Sequence, residues 1–402
     1  MPDKRLITPA TRRFLAMMTV VVAVGATAAC GGSTGSPSSS SVTGPTPSLG
    51  PWQGTLTTTT LPAPVQALRD VACATAQRCW AVGSTVATSS APAGPALVAT
   101  TDGGATWTVL TLPSVVGYLS GVACTSARSC IAVGQIGLSG VGPGAVLTTT
   151  NGTTWTVQAV PAGTTDVTAV DCRTNGRCAA LGVVSGVVTT LIPSRTGAWV
   201  ATGRLPAPAS VATALSCTDA THCWATAAQS VDVGHVIGTI DVTSDGGTTW
   251  TPQHVPVGTG ALQDIACTAG TDATRTATGS GATCTAVGTT ATVLGGARTG
   301  QGVVLTTADG GGRWVAVPVT PTSADLLGVS CAAGPCVAVG TTVTTAPQAG
   351  VVVLTGAAGP SGATWRQAVT APVALALTAV DCVSLSACVM VGESVTAHLA
   401  TG

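Results

Sequence analysis

The sequence predicts an all-β chain built of seven repeated units, and three observations predict it. Of 402 residues, 45% are hydrophobic but only 3% aromatic and 7% charged, so the core must come from Val, Ala, Leu, Thr and paired backbone, which suits sheets. The 51 glycines and 24 prolines break the chain so often that no long stretch keeps a helical apolar period. Fourteen cysteines after Cys30 fall into seven close pairs repeating at about 50 residues, the length of a β-propeller blade.

The first element is an export signal. Lys4, Arg5, Arg12 and Arg13 precede the apolar run Phe14 to Val24, and small residues lead to Thr27-Ala28-Ala29-Cys30. This is the order of a signal peptide, and its end resembles the lipobox of bacterial lipoproteins. The resemblance implies cleavage before Cys30 and acylation of its thiol, although Thr27 stands where an aliphatic residue is usual. The alternatives are an ordinary cleaved signal with a chance cysteine, or an uncleaved anchor, for which the run is short. Arg12-Arg13-Phe14-Leu15 is one residue short of a twin-arginine spacing, so the general secretory route is expected. Residues 1–30 are thus read as signal and 31–50, rich in Ser, Gly, Thr and Pro, as a flexible tether reaching about 25 Å. Residues 51–402 are read as the folded domain.

The cysteine pairs come next: Cys73 with Cys79, Cys124 with Cys130, Cys172 with Cys178, Cys217 with Cys223, Cys267 with Cys284, Cys331 with Cys336, and Cys382 with Cys388. The text around them repeats, as in Asp70-Val71-Ala72-Cys73 with Cys79-Trp80-Ala81-Val82-Gly83, and Gly121-Val122-Ala123-Cys124 with Cys130-Ile131-Ala132-Val133-Gly134. Each reads as strand, tight loop, strand, with a disulfide across the hairpin. These spacings are not those of zinc sites, the four histidines are not placed as partners, and export implies an oxidising compartment. No metal and no cofactor is expected.

A third strand then leads to a second repeated text. Thr100 to Trp107 and Thr243 to Trp250 carry Thr-x-Asp-Gly-Gly-x-Thr-Trp; Thr307 to Trp314 has Arg313 in the Thr place, and Thr149 to Trp155 has Asn151 and is one residue shorter. These stretches resemble the Asp-box turns of sialidases and other repeat propellers, including propellers of the photosystem II assembly-factor type. The resemblance covers residues 51–402 and implies a propeller whose Asp-boxes are scaffold: the carboxylate takes turn N–H groups, Gly supplies positive φ, and Trp fills the space between blades. Trp80 and Trp224, after second cysteines, are expected to pack on the disulfides.

The last repeat lacks its fourth strand, since only Val389 to Gly392 and Val395 to Thr401 follow Cys388. Pro51-Trp52-Gln53-Gly54-Thr55-Leu56 matches the missing text and makes seven tryptophans at this place: Trp52, Trp107, Trp155, Trp199, Trp250, Trp314 and Trp365. The expected fold is therefore a seven-bladed β-propeller of four-stranded antiparallel blades, closed by the N-terminal strand.

Chemistry is harder to find. A sialidase would need an arginine cluster, a Tyr nucleophile with Glu, and an acidic donor, yet Tyr118 and Glu393 are the single residues of their kinds and fall in different repeats. Arg78, Arg128 and Arg177 recur beside the Cys loop as repeat features. Asp70, Asp232, Asp264 and Asp325 are candidate carboxylates with nothing pairing them, and Gly295 to Gly300 reads as a loop and not a phosphate cradle. No catalytic residue is assigned and no enzyme is expected. After residue 30, 11 basic side chains face 14 acidic ones with no basic run, which sets nucleic acid aside.

In an up-down blade the Cys loops and Asp-boxes share one face, and the varied loops share the other: Ser84 to Pro95, Gln135 to Gly144 and Thr289 to Gly302, with His235, Arg298, Tyr118 and Glu393. That second face is the expected binding face. The expectation is a monomer anchored by lipid at the outer side of the cell membrane and binding protein, with a cell-wall glycan as the alternative partner.

Overall fold

In a computed structural model, residues 54–401 are described, apart from 90–91, 138–141, 174–175, 207–208, 210, 233–234, 271–280, 291–300, 321–324, 333–334, 343–349, 358–364, 372–375 and 385. Cys30, the 31–50 tether, Trp52 and Arg298 lie outside them. The described elements are all strands.

They form seven sheets. In the first, Val65–Cys73, Cys79–Thr85, Pro95–Thr100 and Thr108–Val109 pair in chain order, all antiparallel. One expectation is corrected here. Six sheets, not seven, are four-stranded antiparallel blades; the sixth in chain order has five strands, because Val319–Thr320 runs parallel to Trp365–Ala371 along its outer edge. The chain leaving the fifth blade therefore pairs with the sixth blade's rim, where the free N–H and C=O groups of an outer strand invite pairing.

The innermost strands are Val65–Cys73, Val116–Cys124, Thr164–Cys172, Val211–Cys217, Thr259–Thr268, Asp325–Cys331 and Leu377–Ser384, and each packs on the inner strand of the next sheet, the last on the first. The N-terminal strand Gly54–Thr60 pairs antiparallel with Val395–Thr401, Gly54 opposite Thr401, and completes the sheet of Leu377–Ser384. The ring is thus latched by two distant ends of the chain.

All seven cysteine pairs are disulfides. Cys73 is bonded to Cys79, Cys124 to Cys130, Cys172 to Cys178, Cys217 to Cys223, Cys267 to Cys284, Cys331 to Cys336 and Cys382 to Cys388, with Cα atoms 3.8 to 4.1 Å apart. The two residues of each pair stand directly opposite in register. That holds even for Cys267 and Cys284, whose loop is the longest, because the register and not the loop length sets the approach. The second cysteine of every pair is buried, Cys178, Cys223, Cys284 and Cys336 among them, so each bridge is anchored on the core side of its hairpin.

Hydrophobic clusters bridge neighbouring sheets, as where Trp80, Val82 and Leu97 join Leu119, Leu147 and Trp155. Trp80 also meets a different disulfide from the expected one: its cluster holds Cys124 and Cys130 of the next sheet, and its indole N–H donates to the Gly152 carbonyl at 2.8 Å. Trp224 repeats this one blade on from its own bridge to Cys217: it shares a cluster with Cys267 and Cys284 and donates to Gly310 at 2.9 Å. Every disulfide and every cluster lies inside the compact unit Gly50–Gly402, so this unit carries its own core.

The sheets share one irregularity that the repeat text hides. Each has a bulge between its first two strands at the same place, four residues before the cysteine: Arg69, Ser120, Thr168, Thr213, Gln263, Leu327 and Thr378. A bulge adds a residue to one strand and re-aims its side chain. It also explains the glycine of the Cys-x-Ala-Val-Gly text, since a Cβ on Gly83 or Gly134 would sit 2.0 or 2.1 Å from a carbonyl oxygen of the bulged strand.

Candidate functional site

The inner strands enclose an axial cavity of about 410 Å³ lined by all seven of them. Its wall carries four carboxylates, Asp70, Asp171, Asp264 and Asp381, with Arg69, Arg173, Gln263 and the hydroxyls of Ser216 and Ser330. Two of the candidate carboxylates, Asp70 and Asp264, are therefore brought into one cavity. Asp325 begins the sixth inner strand and Asp232 ends a second strand in the fourth sheet, and neither lines the cavity. Asp171 and Asp381 carry no mark in the sequence beyond standing next to a cysteine. The cysteines divide between wall and core: Cys73, Cys124, Cys172, Cys267 and Cys331 border the cavity, whereas second cysteines such as Cys178, Cys223, Cys284 and Cys336 do not reach it. Bonded to one another, none of these fourteen offers a free thiol.

The carboxylates are committed to the neighbouring blade. Asp70 accepts from the Val122 N–H at 2.7 Å and from Val71 at 2.9 Å, and Asp264 accepts from Val329 and Ile265, both at 2.8 Å. Asp171 and Asp381 accept from the N–H of the next blade's first cysteine, Cys217 and Cys73, each at 2.7 Å. Ser216 and Ser330 take the same N–H from Cys267 and Cys382 at 3.0 Å. At the remaining junction Ser120 donates to the Val167 carbonyl at 2.8 Å. At least one side chain thus stitches every junction of the ring, and the cavity wall is a belt of inter-blade hydrogen bonds.

Burial in the cavity wall outweighs these bonds electrostatically. Burial pushes Asp70 up to about 7, against the N–H groups of Val122 and Val71 and helped by the charge of Asp381. Asp264 is likewise pushed up to about 7, by burial first, with Asp70 and Asp381 adding, and burial raises Asp381. Desolvation and like charge both disfavour ionisation. Arg173 pairs with Asp171, and burial draws its guanidinium down to about 10 although Asp219 acts to hold it up.

At the end of the ring where the inner strands begin, here called the mouth, three successive blades bring together Arg69, Tyr118 and Asp166, of which Arg69 alone lines the cavity. The Arg69 guanidinium lies 5.3 Å from the Tyr118 ring centroid, a cation–π distance. Burial raises the Tyr118 phenol, and among nearby charges Arg69 lowers it and Asp166 raises it. Burial also raises Asp166, with the Val167 N–H acting against it, and its Oδ1 is enclosed without a hydrogen-bond partner. Gln135, opposite Tyr118 in the second strand Cys130–Ile136, donates to the Gly142 and Thr165 carbonyls at 3.1 and 2.8 Å. Tyr118 was legible as a non-repeated residue; Arg69 and Asp166 were missed, although Arg69 is the only charged residue at its repeat place. Glu393 is exposed on the same face, bridged through its backbone to Ala67, and His235 opens a third strand.

The Thr-x-Asp turns close on themselves. Asp102 accepts from the Thr106 N–H and hydroxyl at 2.9 and 2.6 Å and from the Thr100 hydroxyl at 2.7 Å, bonds that hold it down at about 2. Asp245 repeats this with Thr249 and Thr243, Asp309 accepts from the Arg313 N–H at 3.1 Å, and Asn151 takes the N–H groups of Thr153 and Thr154. No group of three or more His, Cys, Asp or Glu side chains able to hold a metal ion occurs among the described residues.

No protein-family model and no curated protein matches the sequence. Solved structures do share the fold. YCF48 bound to D1 peptide superposes with a TM-score of 0.54 at 16% identity, covering 86% of this chain and 97% of that one. A catalytically inactive virginiamycin B lyase from Staphylococcus aureus with quinupristin gives 0.60 at 10% identity, covering 87% and 100%, and a streptogramin B lyase gives 0.57 at 10%, covering 86% and 97%. At such identities the likeness is one of fold.

Proposed function

We propose that this chain is an exported propeller, anchored by lipid at Cys30, that binds a protein partner through an extended segment laid across the mouth of the axial cavity. The observation that carries this reading is the Arg69, Tyr118 and Asp166 cluster, which places an exposed guanidinium, a half-buried phenol and a half-buried carboxylate within one rim. A peptide, with carbonyls, amides and charges of both signs, complements that mixture. The surrounding face supports it: Val115, Val211 and Val257 are 50%, 45% and 106% exposed there, the apolar surface a protein partner covers. Seven disulfides suit an oxidising compartment, and YCF48 bound to D1 peptide is a propeller of the same fold with a peptide on it. A glycan is favoured less, because the Tyr118 face on which a sugar would stack already carries Arg69. The belt aspartates serve the scaffold in this reading, since moving one would unmake a blade junction.

The test is selection of a displayed peptide library on purified residues 31–402 produced in an oxidising compartment. Enriched peptides are expected to lose at least tenfold in affinity with Arg69→Ala or Tyr118→Ala and to be indifferent to Arg195→Ala on the opposite face. Equal affinity for all three variants sinks the assignment of the mouth, and failure to enrich any peptide sinks the peptide reading. The mass of the N-terminal fragment from native membranes tests acylation at Cys30.

A further inference from the structure

The face opposite the mouth is built differently. Each inner strand ends there at its Cys loop, and each third-to-fourth strand turn lies there too. Exposed on it are Arg78, Arg128 and Arg177 in the Cys loops of the first three blades, and Arg195 in the third blade's turn Ser194 to Gly197. Arg78 reaches across the first junction to donate to the Ala127 carbonyl at 3.3 Å, beside Arg128. Arg173 is paired inward with Asp171. Arg177 has an interaction of its own; among the described residues of these blades, Arg78, Arg128 and Arg195 share their face with one carboxylate, Asp102, which is occupied by its own turn. The second blade has neutral Asn151 where the first, fourth and fifth have aspartate. Arg78, Arg128 and Arg195 against one carboxylate leave this sector at about +2, on a chain that is acidic beyond residue 30.

A second feature falls on the same face. Gly54 pairs with Thr401 at the end of a third strand, and third strands end on the Cys-loop side. The entry belongs to the blade adjoining the first of the arginine-bearing three. The chain therefore enters the ring on the arginine face, and the inner strands begin on the other.

We infer that the arginine sector of blades one to three is a docking surface for an anionic phospholipid bilayer, the membrane to which the preceding residues tether the chain. This rests on the anchoring reading above for its geometry, but the charge and the entry point are properties of the ring itself. Every cation of the sector is arginine, whose planar fork pairs with phosphate oxygens in two-pronged fashion. With the chain entering on this face, the anchoring reading brings the arginines toward the bilayer, and each arginine near an anionic surface is worth roughly fivefold in binding. Docked in this way, the ring presents Arg69, Tyr118 and Asp166 outward, to a partner arriving from the side away from the membrane.

The experiment sediments purified, unacylated residues 31–402 with vesicles of phosphatidylcholine alone and of phosphatidylcholine mixed with phosphatidylglycerol. The unit Gly50–Gly402 holds its own core and disulfides, which makes this form a fair subject. Binding is expected to be at least tenfold tighter to the anionic vesicles, to weaken as salt rises, and to fall to the neutral-vesicle level in the triple variant Arg78→Ala, Arg128→Ala, Arg195→Ala with an unchanged melting temperature. Equal binding to both vesicles, or an undiminished triple variant, overturns the inference. Release by inorganic phosphate at constant ionic strength would mark a free-anion site and also overturn it. If Cys30 proves unacylated in native membranes, the anchoring reading falls while these vesicle results stand by themselves.

Discussion

The belt of carboxylates predicts a stability profile of unusual shape. An ordinary Asp titrates near 3.8, whereas Asp70 and Asp264 are pushed up to about 7 and Asp241, 2% exposed, to about 6. Between those limits the unfolded chain has released protons that the folded ring still holds, so stability falls as pH rises from about 4 to about 7. The opposite holds for Asp102 and Asp245, held down at about 2: their contribution is present above pH 4 and is lost as pH falls through about 2. Maximum stability is therefore expected near pH 4. At 1.36 kcal/mol per unit, the burial of Asp241 amounts to about 3 kcal/mol. Asp70 and Asp264 are half-buried on the cavity wall, and solvent screening reduces each to about 1–2 kcal/mol. Together these make roughly 5 kcal/mol between pH 4.5 and 8. With an unfolding entropy of about 0.7 kcal/mol/K for a unit of this size, the melting temperature should drop by about 7 °C over that interval. Circular dichroism melts at constant ionic strength measure it. The double variant Asp70→Asn, Asp264→Asn should lose about half the slope, since neither site can then ionise. A wild-type melting temperature that is flat or rises from pH 4.5 to 8, or a double variant with the full slope, refutes the reasoning.

Three other outcomes follow from particular contacts. Gly134→Ala places a methyl 2.1 Å from the Tyr118 carbonyl oxygen and should cost about 3 kcal/mol or more in chemical denaturation. Trp80→Phe removes an indole bond to Gly152, whereas Trp155 has no partner for its N–H; Trp80→Phe should lose about 1 kcal/mol more than Trp155→Phe beyond the shared loss of ring area. Deleting residues 51–61 strips the strand paired along Val395–Thr401 and bares that edge, so concentration-dependent aggregation by light scattering and a sharply lower melt are expected.

The strands, hairpins and cysteine pairs were legible because each repeats with the same text, and a text that recurs seven times reports backbone geometry. The fifth strand of the sixth sheet was not, because Val319–Thr320 only continues the preceding strand past Pro318 and has no counterpart in other repeats. The bulges were hidden for the opposite reason. What repeats there is a conformation, while the side chains run from Arg69 through Ser120 to Leu327, and only the partner glycine, as at Gly83, betrays the close approach. Asp70 and Asp264 were visible as carboxylates but not as stitches, since their donors lie 52 and 65 residues away in sequence. Tyr118 stood out by being single; Asp166 did not, because its distinction is an unsatisfied oxygen that only packing reveals.

The belt nevertheless follows a rule that a reader of repeats can use. When the acceptor sits immediately before the cysteine, as Asp171, Ser216, Ser330 and Asp381 do, it reaches the N–H of the next blade's first cysteine. When it sits three residues before, as Asp70 and Asp264 do, it reaches two residues short of that cysteine, to Val122 and Val329. In both of those cases the residue at the same repeat place on the receiving blade is glycine, Gly121 or Gly328, and a Cβ on Gly121 would stand 3.5 Å from Asp70 Oδ2. Acceptor and receiver are thus matched across a junction, blade against next blade, which a comparison of repeats stacked position by position averages away. A carboxylate so matched is constrained by its neighbour and not by a ligand. The residues free of such matching are those at the rim, and it is there, at Arg69, Tyr118 and Asp166, that the chain spends side chains the ring does not require.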